Sequence, residues 1–238
     1  MNGGKKFFGE GIPGVDPSEL RGAFIVVEGA DCSGRSNQIQ TLKDHLEQQG
    51  HAVADVGLKR SALIAEELEA AKGSNTISPR TLSLFYATDF ADQLEHKIIP
   101  ALKAGYVVLA DRYFYTLIAR DVVRGATPDW VESLYGIALV PDAVFYLSVT
   151  PRNLAIRTFE KYHAFDYWES GMDLHLSLDW YTCFVSYQRK MAVEFKQLSK
   201  QFGFRVINGN RSVRSISLEL TKEVDMLMER LRQGDSQP

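Results

Sequence analysis

Phe24-Ile25-Val26-Val27-Glu28-Gly29-Ala30-Asp31-Cys32-Ser33-Gly34-Arg35-Ser36 runs from a β-branched apolar stretch into a glycine-rich turn and then a polar, helix-forming segment. Beyond it Ile39, Leu42 and Leu46 fall on one face, and Gly50 stops a helix predicted over Ser36 to Gln49. From Gly29 through Gly34 to Ser36 the spacing is that of the Walker A loop, G-x-x-x-x-G-K-[ST], with Arg35 in the lysine position. Such a loop turns backbone N–H groups inward at the positive end of a helix and so cradles phosphate. The candidate phosphate-binding residues are therefore Gly29, Ala30, Asp31, Cys32, Ser33, Gly34, Arg35 and Ser36, with the Ser36 hydroxyl directed to Mg2+. Arginine keeps lysine's charge but replaces a compact ammonium with a wider planar fork, so the exchange is not neutral.

Outward from this loop, three more apolar runs read as strands: Tyr106 to Ala110, Ala143 to Leu147 and Phe204 to Ile207, with a weaker one at Ala52 to Val56. Most are continuous rather than alternating, as in parallel strands buried on both faces. Helix-length stretches separate them. Ser78-Pro79 opens one that runs to about Ala104, kinked near Pro100; Thr127-Pro128 opens another; Leu178 to Phe202 and Val213 to Leu231 complete the set. Strand and helix in alternation predict an α/β protein: a three-layer P-loop NTPase fold with about five parallel strands flanked by helices.

With 238 residues and no internal linker, one domain over residues 21–233 is expected, after a flexible leader (1–20) and before a short tail (234–238). A net charge of -3 leaves no basic footprint for nucleic acid, so any phosphate ligand must be met by locally gathered cations. Cys32 and Cys183 are too few for a disulfide framework and lack metal-ligand spacing. No apolar run approaches the roughly 20 residues of a membrane span. With no secretory signal at the N-terminus, a cytoplasmic location is expected.

The segment from Phe24 to Gln38 closely resembles the opening of thymidylate kinases, F-I-x-x-E-G-x-D-x-S-G-K-S-T-Q, and Asp111-Arg112-Tyr113 matches that family's D-R-[YWH] at a strand end. Pro141-Asp142 and Arg157 add weaker matches, and the likeness covers residues 21–230. The resemblance implies a nucleoside monophosphate kinase that uses ATP and Mg2+ to convert dTMP to dTDP, works as a homodimer and carries a mobile lid at about 158–172. It implies that Asn37 and Arg157 join the loop in binding ATP, with Arg157 beside the donor at the start of the lid. Asp31 would approach the acceptor sugar, Arg60 would hold the acceptor phosphate, and Phe85 would stack on the base. Asp111 and Arg112 would serve Mg2+ and the acceptor phosphate, so Asp111→Asn is expected to spare stability. The catalytic set it implies is Arg35, Asp111, Arg112 and Asp31, with Ser36 and Asp111 at the metal. The chemistry agrees, because phosphoryl transfer needs positioning and charge neutralisation more than covalent catalysis. In an open α/β sheet the loop, Arg60, Asp111 and Asp142 are all expected at the carboxyl ends of the strands.

The chain also departs from the family pattern. Asp89 stands where an arginine is usual, four residues after Phe85. After D-R-Y the usual S-x-x-A-Y-Q becomes Thr116-Leu117-Ile118-Ala119-Arg120-Asp121, so Thr116 and Arg120 enter the acceptor set and Arg120 either restores the charge lost at Asp89 or pairs with it. The lid offers only Lys161 and His163 as cations, flanked by Arg157, which places more of the chemistry on Arg35. Two alternatives stay open: a polyphosphate-type phosphotransferase, suggested by Asp111-Arg112-Tyr113-Phe114-Tyr115, and a nucleotide-binding regulatory protein with weakened catalysis.

Overall fold

The computed structural model describes residues 5–73 and 77–234. Strands β1 (Phe24–Gly29), β2 (Val53–Gly57), β3 (Val107–Asp111), β4 (Ala143–Ser148) and β5 (Arg205–Asn208) form one parallel sheet in the order β2-β3-β1-β4-β5. This is the expected three-layer architecture. β1 is buried at every position, which is why its sequence does not alternate, whereas the weaker edge strand β2 is only half buried.

Helices follow in chain order: α1 (Arg35–Gln48), α2 (Ala65–Gly73), α3 (Pro79–Gln93), α4 (Ile99–Lys103), α5 (Phe114–Val123), α6 (Pro128–Leu134), α7 (Pro151–Tyr162), α8 (Trp180–Phe202) and α9 (Val213–Gly234). Period-two alternation along β1 divides the core. Ile25 and Val27 join Ile39 and Leu42 of α1 and Leu220 and Val224 of α9 on one face. Phe24 and Val26 join Phe90 of α3, Phe114 of α5 and Phe195 of α8 on the other.

The long helix expected from Ser78 to Ala104 is broken in two. Ser78 caps α3 by accepting from the Thr81 N–H, and Pro79 takes the first helical position. A π turn over Leu94–Ile98 then intervenes before α4. Pro100 has no N–H to give His96 and its ring crowds that carbonyl, so the helix widens ahead of it. Helices α2, α5 and α7 were not anticipated.

Residues 5–20, within the expected leader, are tied to the domain: the Phe8 N–H donates to the Ala138 carbonyl at 2.7 Å, and the Phe8 ring lies 5.2 Å from that of Phe114. Residues 1–4 of the leader and 235–238 of the tail lie outside the described residues, and α9 continues beyond its expected end at Leu231 to Gly234. Asp142 corrects an expectation. It precedes β4, so it sits at the amino-terminal edge of the sheet, where it accepts from the Phe24 N–H at 2.7 Å and from Lys5.

Candidate active site

The β1–α1 loop is built by backbone conformations that few residues adopt. Gly29 has φ of 156°, and a Cβ there would come within 2.8 Å of the Ser33 hydroxyl and 3.2 Å of the Leu147 carbonyl. Gly34 caps α1 at φ of 94° without a side-chain hydrogen bond, leaving the first N–H groups of the helix to other partners. Inside the loop the Ser33 hydroxyl is buried with no hydrogen-bond partner among the described residues. A phosphate oxygen is the kind of acceptor to which such an orphaned hydroxyl and the N–H groups of an open helix N-terminus donate. The loop borders a cavity of about 300 Å3, lined also by Asn37, Arg157, Lys161 and Tyr162. Arg157 is held at its edge by donating to the Gly209 carbonyl at 3.0 Å.

Arg35 does not extend into this cavity with its fork free. Its Nε donates to Asp111, and Nη1 donates to the carbonyls of Gly29 and Ala30, so the guanidinium lies across the base of the loop, 8% exposed. Arg112, at the end of β3, faces it. Its backbone is in the left-handed region at φ of 69°, its N–H donates to the Val27 carbonyl at 3.0 Å, and its Nη2 meets Asp31 at 2.8 Å. Burial pushes the Asp31 carboxyl up, but Arg112, Arg35 and Arg120 outweigh it and hold the group well below the ordinary carboxylate range. Asp31 is thus an anion in a cationic setting.

A cleft of about 590 Å3, large enough for a nucleotide, opens from this cluster. Asp31, Arg35, Arg60, Asp111, Arg112 and Arg120 all line it, so the structure brings together six of the residues singled out from sequence. Arg60 stands at the rim, 40% exposed, 2.8 Å from Asp55 and 3.6 Å from Asp111. Other candidates lie elsewhere. Phe85 packs against the core, and the aromatic of α3 that lines the cleft is its neighbour Tyr86, with the Arg120 guanidinium 5.5 Å from its ring centre. Asp89 is fully buried beneath the β2–α2 loop, accepting from the N–H groups of Lys59 at 2.7 Å and Ser61 at 2.8 Å and from Gln93 at 3.1 Å. It anchors the loop that carries Arg60. Arg120 pairs with Glu169 and not with Asp89. Thr116 is turned away from the cleft and donates to Glu28 at 2.5 Å.

The stretch expected as a lid divides at the end of α7. Lys161 and Tyr162 reach the phosphate-loop cavity, whereas Trp168 is buried, with its Nε1 donating to the Lys72 carbonyl at 3.1 Å. Sequence reasoning missed Glu28, Tyr86, Lys59 and Glu169. Glu28 left two signals, a carboxylate at the end of an apolar strand and the glutamate of the E-G-x-D run quoted above; Glu169 left none.

Among the described residues no three His, Cys, Asp or Glu side chains cluster to hold a metal. The oxygen donors at hand, the exposed Ser36 hydroxyl and the Asp111 carboxylate, suit Mg2+ when phosphate and water complete its shell.

Comparison with known proteins settles the ancestry. A family model described as thymidylate kinase matches residues 27–173, and the probable thymidylate kinase 2 of Saccharolobus solfataricus is 36% identical over 207 residues, 85% of this chain and 95% of that one. The chain belongs to the thymidylate kinase family. A thymidylate kinase of an Exiguobacterium strain is 27% identical over 232 residues, 92% of this chain and 100% of its own length, and a probable thymidylate kinase of Pyrococcus horikoshii is 29% identical over 210. The match to the thymidylate kinase model takes in Arg60, Asp111, Arg112, Arg120 and Arg157. No helix among the described residues is long and apolar enough to cross a membrane.

Proposed function

We propose that this protein transfers the terminal phosphoryl group of ATP to dTMP, giving ADP and dTDP. One observation carries the reading: the cavity beside the phosphate loop, whose Ser33 hydroxyl is unpartnered among the described residues, and the larger cleft with a second cationic set, Arg60, Arg112 and Arg120, adjoin and share Asp31 and Arg35 in their walls. Two anion-holding arrangements facing each other are what transfer between two phosphate-bearing substrates requires. Gly29 to Asn37 and Arg157 take the donor. Arg60 and Arg112 take the acceptor phosphate by charge-assisted hydrogen bonds, Asp31 faces its sugar, and Tyr86 and Arg120 face its base. Arg35 moves from the Gly29 carbonyl to the transferring phosphoryl group, where a planar fork can follow charge on two oxygens. Ser36 and Asp111 would hold Mg2+, which supplies charge neutralisation when bound. A coupled ADP-release assay across the common monophosphates tests the reading; no turnover on any of them sinks it.

The inward turn of Arg35 favours a second reading, nucleotide binding without turnover. Calorimetric titration with ATP separates the two: tight binding with no turnover, unchanged in Arg35→Lys, supports a binding protein. A homodimer, implied by the family resemblance, and a cytoplasmic location complete the proposal, and sedimentation equilibrium tests the first.

A further inference from the structure

We propose that Glu28 is a positioning residue that fixes Arg112 relative to the phosphate loop by capping α5 from the neighbouring strand. The proposal rests on the reading that Arg112 holds the acceptor phosphate. Glu28 is fully buried at the end of β1, one residue before the loop. Its Oε1 accepts from the N–H groups of Tyr113 at 2.9 Å and Thr116 at 3.3 Å, and Oε2 accepts from the Thr116 hydroxyl at 2.5 Å. Tyr113 is the N-cap of α5 and has no side-chain cap of its own, so the carboxylate supplies what the local sequence lacks. An anion at a helix N-terminus also meets the positive end of the helix dipole.

What this cap restrains is the residue before it. Arg112 is a non-glycine residue at φ of 69°, a conformation that persists only where its surroundings enforce it. On one side its N–H is pinned to the Val27 carbonyl, and on the other Glu28 pins Tyr113. Both anchors belong to β1. Arg112 Nε reaches the Gly29 carbonyl at 3.2 Å, so loop and arginine share one strand as their common frame. A carboxylate that touches neither substrate thereby sets the distance between two phosphate sites.

Glu28→Gln keeps the shape and most of the hydrogen bonds, whereas Glu28→Leu removes every acceptor. The acceptor KM is expected to rise about threefold in the first and about a hundredfold in the second, with the ATP KM within about twofold of wild type in both. In an Arg112→Ala background the Glu28→Gln change is expected to add no further acceptor effect, because the route runs through Arg112. Equal losses for donor and acceptor, or full additivity with Arg112→Ala, overturn the proposal. If Glu28→Leu does not fold, the Glu28→Gln cycle decides. If the wild type turns over no monophosphate, the functional reading has failed, and a crystal structure of Glu28→Gln decides this one. Release of Arg112 from its left-handed conformation or from Asp31 supports the proposal, and an unchanged Arg112 refutes it.

Discussion

Arg35 and Asp111 close on each other at the carboxyl edge of the sheet: the guanidinium of the first residue of α1, the helix that follows β1, donates to the carboxylate at the end of the neighbouring strand β3. The pair changes what Asp111 means. As a metal ligand alone it could be neutralised with little effect on stability, but it also compensates an arginine that is 8% exposed. Removing one partner of a buried pair leaves the other charge uncompensated. Asp111→Asn is therefore expected to lower stability by roughly 3 kcal/mol, the low end for such pairs because the Gly29 and Ala30 carbonyls still accept from Arg35. Turnover should fall at least about tenfold. Urea denaturation and ADP release measure the two effects separately, and near-normal activity removes Asp111 from the site.

Adjacent aromatics give a sharp comparison. Tyr86 lines the cleft and Phe85 packs against the core, so the two substitutions should separate in kinetics. Tyr86→Leu is expected to raise the dTMP KM roughly tenfold, the scale of losing an aromatic face beneath a base. Phe85→Leu should leave that KM near the wild-type value while lowering the melting temperature. The reverse pattern returns the stacking role to Phe85.

The residues that carried most information in the sequence were those whose chemistry is local. Glycine spacing between Gly29 and Gly34 specifies a loop whatever surrounds it, and four apolar runs specify buried strands. Asp111-Arg112 was legible for the same reason, since its position at a strand end follows from the run before it. The failures needed distance. Asp89 reads as a stray anion at a phosphate until the β2–α2 loop is seen folded over it. Phe85 and Tyr86 differ by one helical step of about 100°, and the weakly amphipathic α3 gave no phase to choose between them. The partner of Arg120 lies 49 residues away in an irregular segment that no periodicity marks.

That partner, Glu169, sets a test of coupling. Arg120 and Glu169 are 10% and 15% exposed in their side chains and lie in the same cleft. Either change alone strands a buried charge, so Arg120→Met and Glu169→Leu should each destabilise by a few kcal/mol, roughly 3 in the wild-type background. The double variant should recover about 1 to 3 kcal/mol of the summed loss. Additive losses in chemical denaturation show the two side chains to be energetically independent. Because Arg120 also faces Tyr86, both variants carrying Arg120→Met should show a raised acceptor KM even where stability is recovered.

Asp121 gives a pH dependence with a definite sign. Burial pushes its carboxyl up from 3.8 to about 6, against the opposing pull of the Ser83 hydroxyl, Arg124 and Arg120; the Tyr135 phenol also faces it. Between those two values the folded protein holds a proton that the unfolded chain has released. Stability contributed by this group is therefore greatest below about pH 4 and declines as pH rises to about 6. The full change amounts to about 3 kcal/mol at 1.36 kcal/mol per unit. Asp121→Asn still accepts from Ser83 but does not titrate, so the variant should lack this decline and be the more stable protein at pH 7. Urea midpoints for both proteins at pH 4.5 and pH 7 check it. An identical shift in the two proteins would assign the slope to other groups and place the Asp121 carboxyl in its ordinary range.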